Sequence, residues 1–311
     1  MTPTKQPKRS ASAAGFHFLN LFQCCPRKFF IRFVLRIDPK YTSTPLIFGS
    51  AFHEAKATYY QTKHLDEALS VGNNLIQSSK KELFDPSEVN QLKNRLELMF
   101  TSWVDQYGKI DLKRFKFLCV EKEFIVPVGN TQLVMTMRPD AIVQEKQTKL
   151  IYILETKTSS FSIRVTADAV MTGDQATAYI WGVHKITGWN IYGVQPDITF
   201  WSKNSQSRSG IQNDRPSAVL RDNQACLRFE LGVAQLISEI TQKVEAFKNG
   251  MNCWQLFPRN SHYCCSFSHP CEYSKICFDQ LQDNPKVPDG FKRIKSRKNI
   301  LLNVFDSIDI L

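Results

Sequence analysis

Residues 137–157 have a strand–turn–strand pattern with an acidic side chain on each strand, and no other segment restricts the possible folds as strongly. If Glu145 and Leu150 close the turn, Asp140 lies directly opposite Glu155. Facing residues on neighbouring antiparallel strands have Cβ atoms about 4.5–5.5 Å apart, and like charges placed in this way destabilise the sheet. A compensating positive charge is therefore expected near the two carboxylates.

A divalent cation can supply this compensation. Mg²⁺ prefers one or two carboxylates, keeps several water ligands and leaves positions open for phosphate oxygens. Lys157 lies two residues beyond Glu155, so both side chains are expected on the same face of the sheet. An ammonium group there can orient or deprotonate an attacking water and stabilise charge on a phosphate. The alternative is that Glu155 and Lys157 lie on a solvated strand edge, with no catalytic role.

The apolar periodicity changes from helical to strand-like near Phe115, which predicts an α/β fold with a helical N-terminal annex. Residues 1–14 are polar and basic, with too little apolar content to pack, and are expected to form a flexible tail. The predicted helices are 18–35 with an interruption at Pro26, 46–61, 65–83, 87–107, 173–186 and 229–247. The predicted strands are 115–128, 131–144, 150–157 and 191–201, and 203–217 is a predicted loop.

Further motifs surround the acidic hairpin. Gly49 precedes His53 by four residues, Gln175 precedes Tyr179 by four residues, and Glu121 lies on the strand before the hairpin. With Pro139-Asp140 and Glu155-Thr156-Lys157, these motifs resemble the PD-(D/E)XK nuclease superfamily. The Gly-x-x-x-His and Gln-x-x-x-Tyr patterns are similar to those of its RecB-like exonuclease branch, which includes phage and CRISPR-associated nucleases. The resemblance covers roughly residues 16–280.

The resemblance implies a restriction-endonuclease-like fold, in which a mixed central sheet is flanked by helices and followed by a C-terminal cysteine-rich knot. It implies that His53, Asp140 and Glu155 hold Mg²⁺ or Mn²⁺ and that Lys157 assists the attacking water. The Gln-x-x-x-Tyr helix would position the substrate or the lysine. The residues that the resemblance implicates in catalysis are Asp140, Glu155, Lys157, Gln175 and Tyr179.

The chain has nine cysteines, and an odd number that includes two adjacent pairs is unsuited to a disulfide framework. The cysteines near the two ends resemble the arrangement of many RecB-like nucleases, in which four thiolates hold a 4Fe–4S cluster. Ser268 stands where the commonest family spacing has a thiol. The alternative is a local zinc site that uses C-terminal cysteines with His262 or His269. The implied cluster ligands are Cys25, Cys264, Cys271 and Cys277, with Cys265 as the alternative to Cys264.

An excess of 40 Lys and Arg over 29 Asp and Glu gives a formal net charge of +11, which suits a polyanionic partner. We expect this partner to be DNA, single-stranded or with free ends. Four basic residues interleave with phenylalanines in a way that suits phosphate contact, although a solvated helix face is the alternative: Arg27, Lys28, Arg32 and Arg36. No apolar run approaches the ~18 residues of a membrane span, so we expect no membrane association and a cytoplasmic location, in the host cytoplasm if the chain is phage-encoded.

The sequence therefore predicts a metal-dependent DNA nuclease, an exonuclease on single-stranded or end-bearing DNA, in phage or prokaryotic recombination, repair or spacer acquisition. No Gly-x-x-x-x-Gly-Lys loop is present, so a helicase or recombination protein would be a separate chain. The alternative is a catalytically silent DNA-binding or assembly protein that retains the fold. The predicted segments after the tail are a helical region at 15–110 with Cys25 and His53, a nuclease core at 111–250, and a cysteine-rich metal-binding and basic C-terminal region at 251–311.

Overall fold

A computed structural model describes residues 15–83, 85, 87–129, 134–160, 162–202, 208–264, 271–278 and 287–294. These residues divide into two compact units. The first, here called the terminal unit, comprises the described residues within 1–38, 132–136 and 236–311. The second, here called the central unit, comprises those within 39–131 and 137–235.

Aromatic packing forms the core of the terminal unit. Phe29 and Phe30 are fully buried, and their rings contact Phe18, Phe22 and Phe257 at centroid distances of 4.7–5.1 Å. Its elements are α1 Phe16–Cys24, α2 Pro26–Phe29 followed by a π-helical turn Phe30–Val34, β1 Ile37–Pro39, α10 Cys253–Leu256, α11 Ser261–Cys264, α12 Ser274–Phe278 and β9 Phe291–Arg293. Strands β1 and β9 pair in a two-stranded sheet. The prediction of helices on both sides of Pro26 is confirmed, because this proline begins α2, where a missing N–H costs nothing.

The central unit begins with helices and continues as a sheet crossed by two further helices. Its helices are α3 Thr44–Thr62, α4 Leu65–Ser78, α5 Glu88–Trp103 with a π-helical turn Val104–Gly108, α6 Lys109–Arg114, α7 Ile163–Thr172 and α8 Asp174–Thr187. Its strands are β2 Phe115–Val120, β3 Phe124–Pro127, β5 Ala141–Glu145, β6 Ile151–Ser159, β7 Ile191–Trp201 and β8 Ile211–Asp214. Strand β4 Val134–Met137 and helix α9 Asn223–Lys248 contribute residues to both units.

The central sheet has five strands in the order β2-β5-β6-β7-β8. Pairing is antiparallel except between β6 and β7, which are parallel, so the sheet is mixed. The α/β class with a mixed central sheet flanked by helices is therefore confirmed. No helix in the described part of the chain is long and apolar enough to cross a membrane.

The register of the β5–β6 hairpin is the predicted one. Ala141 pairs with Leu154, and the Glu145 N–H donates to the Leu150 carbonyl at 2.9 Å to close the turn. Continuing this register by one residue places Asp140 opposite Glu155. The hairpin was predictable because the turn and the alternation are both local features of the sequence.

The two faces of β6 pack against different helices, α3 on one side and α8 on the other, because successive side chains of a strand point to opposite faces. Leu154 belongs to an apolar core with α3, α4 and α5, and Thr156 accepts a hydrogen bond from Lys56 of α3. Lys157 faces the other way and contacts Gln175 of α8. The end of β6 therefore lies between the α3 layer and the α8 layer.

Several elements depart from the sequence-based prediction. The predicted strand 115–128 is divided into β2 and β3, and the described residues of the predicted strand 131–144 form β4 and β5. Helix α6 and strands β1 and β9 were not predicted. Helix α7, with Ser162 accepting the Val165 N–H at its start, was not predicted. Strand β8 lies within the predicted loop 203–217, and that part of the prediction is wrong. Its sequence, Ile-Gln-Asn-Asp, is polar and loop-like, but pairing with β7 satisfies its backbone groups.

Candidate active site

His53 and Asp140 meet although 87 residues separate them in the chain. The ring Nδ1 of His53, in the middle of α3, lies 2.8 Å from Asp140 Oδ1. The second oxygen, Oδ2, accepts the backbone N–H of Thr156 at 2.7 Å. Burial alone would raise the pKa of Asp140, but the charge and hydrogen bond of His53, with the Thr156 N–H, hold this pKa below its ordinary value. Asp140 is therefore ionised and oriented from two elements.

Glu121 completes a compact group with these two residues. It follows β2 with a positive φ of 50°, which non-glycine residues adopt uncommonly, and its N–H donates to the Asp140 carbonyl at 3.0 Å. Its Oε1 lies 3.9 Å from His53 Nδ1. Ligand atoms of His53, Glu121 and Asp140 all lie within 4.8 Å of one another. One imidazole and two carboxylates are a donor set that can hold a divalent metal ion.

Glu155 is buried, with its side chain only 4 % exposed. Oε1 accepts a hydrogen bond from Lys157 Nζ at 2.5 Å, whereas Oε2 has no hydrogen-bond partner within the described residues. Burial raises the pKa of Glu155, and the Asp140 carboxylate adds to this increase against the opposing effect of Lys157. A buried carboxylate oxygen without a partner is costly, and a cation is a fitting partner for it. The residues present therefore fit a divalent metal ion.

Lys157 is held by a chain of hydrogen bonds on the α8 side. Its Nζ donates to Gln175 Oε1 at 3.1 Å, and Gln175 Nε2 donates to the Tyr179 hydroxyl, also at 3.1 Å. Tyr179 in turn donates to the Arg138 carbonyl at 3.3 Å. The spacing of four residues places Gln175 and Tyr179 on one face of α8, which explains why the Gln-x-x-x-Tyr pattern reaches the hairpin.

The charge state of Lys157 follows from its neighbours. Burial alone would lower the pKa of its amine, but the charge and hydrogen bond of Glu155, with a contribution from Asp140, raise it above the ordinary value. The group is therefore an ammonium at neutral pH. In this arrangement it can donate hydrogen bonds to a water or a phosphate oxygen, and it has no lone pair with which to accept a proton.

The structure brings the sequence-predicted site residues together within the central unit. His53 and Asp140 are in direct contact, and Glu155, Lys157, Gln175 and Tyr179 form a hydrogen-bonded series beside them. Glu121 was outside the predicted metal set, although its motif was visible, because nothing local indicated the turn that directs its side chain towards His53. The Gly49 position faces β6, where an added Cβ would meet Thr158 Oγ1 at 3.6 Å, an ordinary van der Waals distance.

The cysteines of the terminal unit are described only in part. Cys25 and Cys277 are buried and Cys271 is partly buried. Burial raises the pKa of the Cys271 thiol, and Cys25 lies near enough to contribute to this increase. Cys264 ends α11, but its side chain lies outside the described part of the chain, as do Cys265, Ser268 and His269 in full.

One of the four basic residues expected to contact phosphate is in the interior. Arg27 is fully buried, with its guanidinium 3.8 Å from the Trp254 ring centroid and Nη1 bonded to Cys253 Sγ at 3.4 Å. Its prediction as a surface phosphate contact is therefore wrong, because the start of α2 turns this side chain towards α10. Lys28 pairs with Glu272 at 3.2 Å.

Comparison with known proteins gives a family and distant structural likenesses. A model of the PD-(D/E)XK nuclease superfamily matches residues 16–278. No curated protein matches the chain. The protein in the crystal structure of SSO0001 is 15 % identical in sequence to this chain. The match covers 75 % of this chain and 85 % of that chain, with a TM-score of 0.30. The alkaline exonuclease LHK-Exo from Laribacter hongkongensis, alone and in complex with dAMP, is 13 % identical, with 67 % and 97 % of the two chains covered and a TM-score of 0.29.

Proposed function

Because the chain belongs to the PD-(D/E)XK nuclease superfamily, we propose that it is a Mg²⁺- or Mn²⁺-dependent deoxyribonuclease that hydrolyses phosphodiester bonds. Its substrate is single-stranded or end-bearing DNA, on which it acts as an exonuclease. The observation that carries the proposal is the buried Oε2 of Glu155, which has no hydrogen-bond partner among the described residues and belongs to the same site as His53, Glu121 and Asp140. Three acidic residues and an imidazole grouped around the end of β2, the start of β5 and the central strand β6 are an arrangement that a cation stabilises.

The metal ion would be held by His53, Asp140 and Glu155, and the distances among His53, Glu121 and Asp140 make Glu121 a further candidate ligand. When bound, such an ion supplies Lewis-acid stabilisation of phosphate charge and lowers the pKa of a coordinated water. The resemblance implied the first three ligands, and the donor geometry supports adding the fourth.

The protein groups around the ion position the reacting atoms. Lys157, as an ammonium, donates hydrogen bonds to the attacking water or to a phosphate oxygen where negative charge develops. Gln175 fixes the direction of the Lys157 amine, and Tyr179 fixes Gln175. The role of Lys157 is thus orientation and charge stabilisation, in preference to deprotonation of water.

DNA as the substrate is supported by the net charge of +11 and by the resemblance to RecB-like exonucleases. The same resemblance supports a role in phage or prokaryotic recombination, repair or spacer acquisition, in the cytoplasm and alongside a separate helicase or recombination protein. The alternative of a silent DNA-binding protein accounts less well for a site in which Asp140, Glu155 and Lys157 all converge.

A nuclease assay tests the proposal. End-labelled linear single-stranded DNA, linear duplex and closed circular DNA are incubated with Mg²⁺ or Mn²⁺, with 5′ and 3′ labels in parallel. We expect the native chain to degrade linear DNA and to spare circles, and we expect Lys157→Ala to be inactive. Lys109→Ala is the matched control, because this lysine is exposed and pairs only with Asp105 on its own helical stretch among the contacts described. Retained DNA binding without degradation by the native chain would establish the silent alternative.

A 4Fe–4S cluster held by Cys25, Cys264, Cys271 and Cys277 is the second part of the proposal. It is supported by the burial of Cys25 and Cys277 and by the ion pair between Lys28 and Glu272, which joins the segments that carry Cys25 and Cys271. Purification without oxygen should give a brown protein with broad visible absorption, which Cys271→Ser should lose. A colourless protein with one equivalent of zinc would contradict the cluster, and comparison of Cys264→Ser with Cys265→Ser identifies the fourth ligand.

A further inference from the structure

A buried network of four charged side chains lies next to the candidate active site on the α3 face of the sheet. Lys56 Nζ lies 2.6 Å from Asp197 Oδ2, and Arg215 forms bonds of 2.6–2.8 Å with both Asp111 and Asp197. Lys56, Asp111 and Asp197 are at most 3 % exposed. The two cations and two anions give the network no net charge. Its main effect on neighbouring residues is therefore to hold the elements that carry it in place, and its electrostatic effect on them is small.

Two aromatic residues donate further hydrogen bonds to the carboxylates of the network. Trp103 Nε1 donates to Asp197 Oδ2 at 3.0 Å, and the Tyr60 hydroxyl donates to Asp111 Oδ2 at 2.8 Å. Burial alone would raise the pKa of Asp197, but the charges of Lys56 and Arg215 hold this pKa well below its ordinary value. Buried ion pairs often contribute little net stability compared with apolar side chains of similar volume. The main contribution of the network is therefore the arrangement of secondary-structure elements that it imposes, and not a gain in stability.

Thr156 connects this network to the candidate metal ligands. Its hydroxyl accepts a hydrogen bond from Lys56 Nζ at 2.8 Å, and its backbone N–H donates to Asp140 Oδ2 at 2.7 Å. In sequence it stands between Glu155 and Lys157. In the sheet, Thr156 of β6 is paired with Asp197 of β7, which is the other partner of Lys56.

Lys56 connects the network to the histidine. It follows His53 by three residues on α3, so the two side chains are neighbours on one face of the helix. Thus the hydrogen bond between Lys56 and Thr156 joins the helix that carries His53 to the strand that carries Glu155. These two elements must keep a fixed separation if their side chains are to bind one ion.

We propose that Lys56 and Thr156 are positioning residues that set the metal affinity of the site by fixing α3 against β6. The inference rests on the proposed metal-dependent function. Removing a group that hydrogen-bonds to a metal ligand typically weakens metal affinity by about tenfold to a hundredfold. The backbone N–H of Thr156 is one such group, because it donates to Asp140. The Thr156 hydroxyl, which accepts from Lys56, holds this strand against α3 and can be removed without changing the shape of the side chain.

Calorimetric titration of the full-length chain with Mn²⁺ tests this proposal. We expect Thr156→Val to bind Mn²⁺ about tenfold more weakly than the native chain, and Thr156→Ser, which restores a hydroxyl, to recover most of the affinity. Thr199→Val is the matched control, since Thr199 is fully buried on β7 and its hydroxyl has no hydrogen-bond partner in the described regions. Its Mn²⁺ affinity should equal that of the native chain.

Two further measurements separate positioning from general damage. Thermal melting without metal checks that each variant is folded, and DNA cleavage by Thr156→Val should approach the native rate at saturating Mn²⁺. Native-like Mn²⁺ affinity in Thr156→Val would overturn the positioning role while leaving the proposed function intact. A folded native chain that binds no Mn²⁺ would overturn both.

Discussion

Gln175 Oε1 accepts a hydrogen bond from Lys157 Nζ at 3.1 Å, so the ammonium group is held both by helix α8 and by Glu155 of its own strand. A lysine side chain has four rotatable bonds, and two partners restrict it far more than one. The position of the amine is thus a property of the sheet and α8 together.

Replacing Gln175 tests this restraint. We expect Gln175→Leu to lower the rate of DNA cleavage at saturating metal by about tenfold to a hundredfold, because the amine is misplaced in the reacting geometry. Its Mn²⁺ affinity should be unchanged, since Gln175 contacts none of the carboxylates in the described contacts. Gln144→Leu on β5, whose amide bonds only the Lys149 carbonyl there, is the control. A native cleavage rate in Gln175→Leu would show that the restraint is dispensable.

Removing the charge of Glu155 should stabilise the metal-free protein. Burial and Asp140 raise the pKa of Glu155, so its ionised form is less favourable in the fold than in water. Glu155→Gln keeps an oxygen that accepts from Lys157, and we expect it to melt about 2 °C higher than the native chain in EDTA. Mn²⁺ should raise the melting temperature of the native chain only. A lower melting temperature of the variant in EDTA would contradict the proposed repulsion.

Glu230 should make stability depend on pH. Burial alone would raise the pKa of Glu230, but hydrogen bonds from Lys185, Trp181 and the Gly129 N–H lower it. Its ionised form therefore stabilises the fold above the ordinary pKa of a glutamate, and this contribution is lost as the pH falls through the lowered value.

We expect Glu230→Gln to reduce the free energy of unfolding by about 1 kcal/mol near neutral pH. The difference from the native chain should shrink below about pH 4. Urea denaturation at a series of pH values measures both quantities. If the difference in free energy of unfolding between the native chain and Glu230→Gln did not change with pH, the ionised form of Glu230 would not be what stabilises the fold.

Gly49→Ala should be tolerated by the fold. The position is inside α3, and an added Cβ would meet Thr158 Oγ1 at 3.6 Å, which is ordinary contact. Because alanine favours helix more than glycine by about 1 kcal/mol, a modest rise in melting temperature is expected. Gly72→Ala is the contrasting variant, since its Cβ would lie 2.6 Å from Leu96 Cδ2 and 3.1 Å from the Ala51 carbonyl. Equal stability of the two variants would refute this difference in packing.

The sequence predicted what depends on local pattern or on a known motif. The turn after Glu145 and the alternation on both sides of it specified the hairpin register, which the pairing of Ala141 with Leu154 confirms. The α/β class followed from the change of period near Phe115, whereas the mixed sheet was implied by the resemblance. The convergence of His53 with Asp140 was available only through the resemblance, because no local rule joins residues 87 positions apart.

The sequence did not predict the groups that depend on distant parts of the chain. Lys56 and Asp197 are 141 residues apart, and Arg215 and Asp111 are 104 apart, and each looks like an ordinary surface charge in the sequence. Glu121 was visible as a motif, but its positive φ depends on tertiary contacts. Strand β8 was missed because polar composition indicates a loop unless the neighbouring strand is known.

The long sequence separations within the central unit also determine when its candidate metal site can form. Asp140 cannot meet His53 until both have left the ribosome, and the charges of Lys56 and Asp111 find their buried partners only once Asp197 and Arg215 have been synthesised. Domains generally fold as units during translation. A nascent chain that ends before Arg215 therefore lacks the complete buried network that we propose to position the metal ligands.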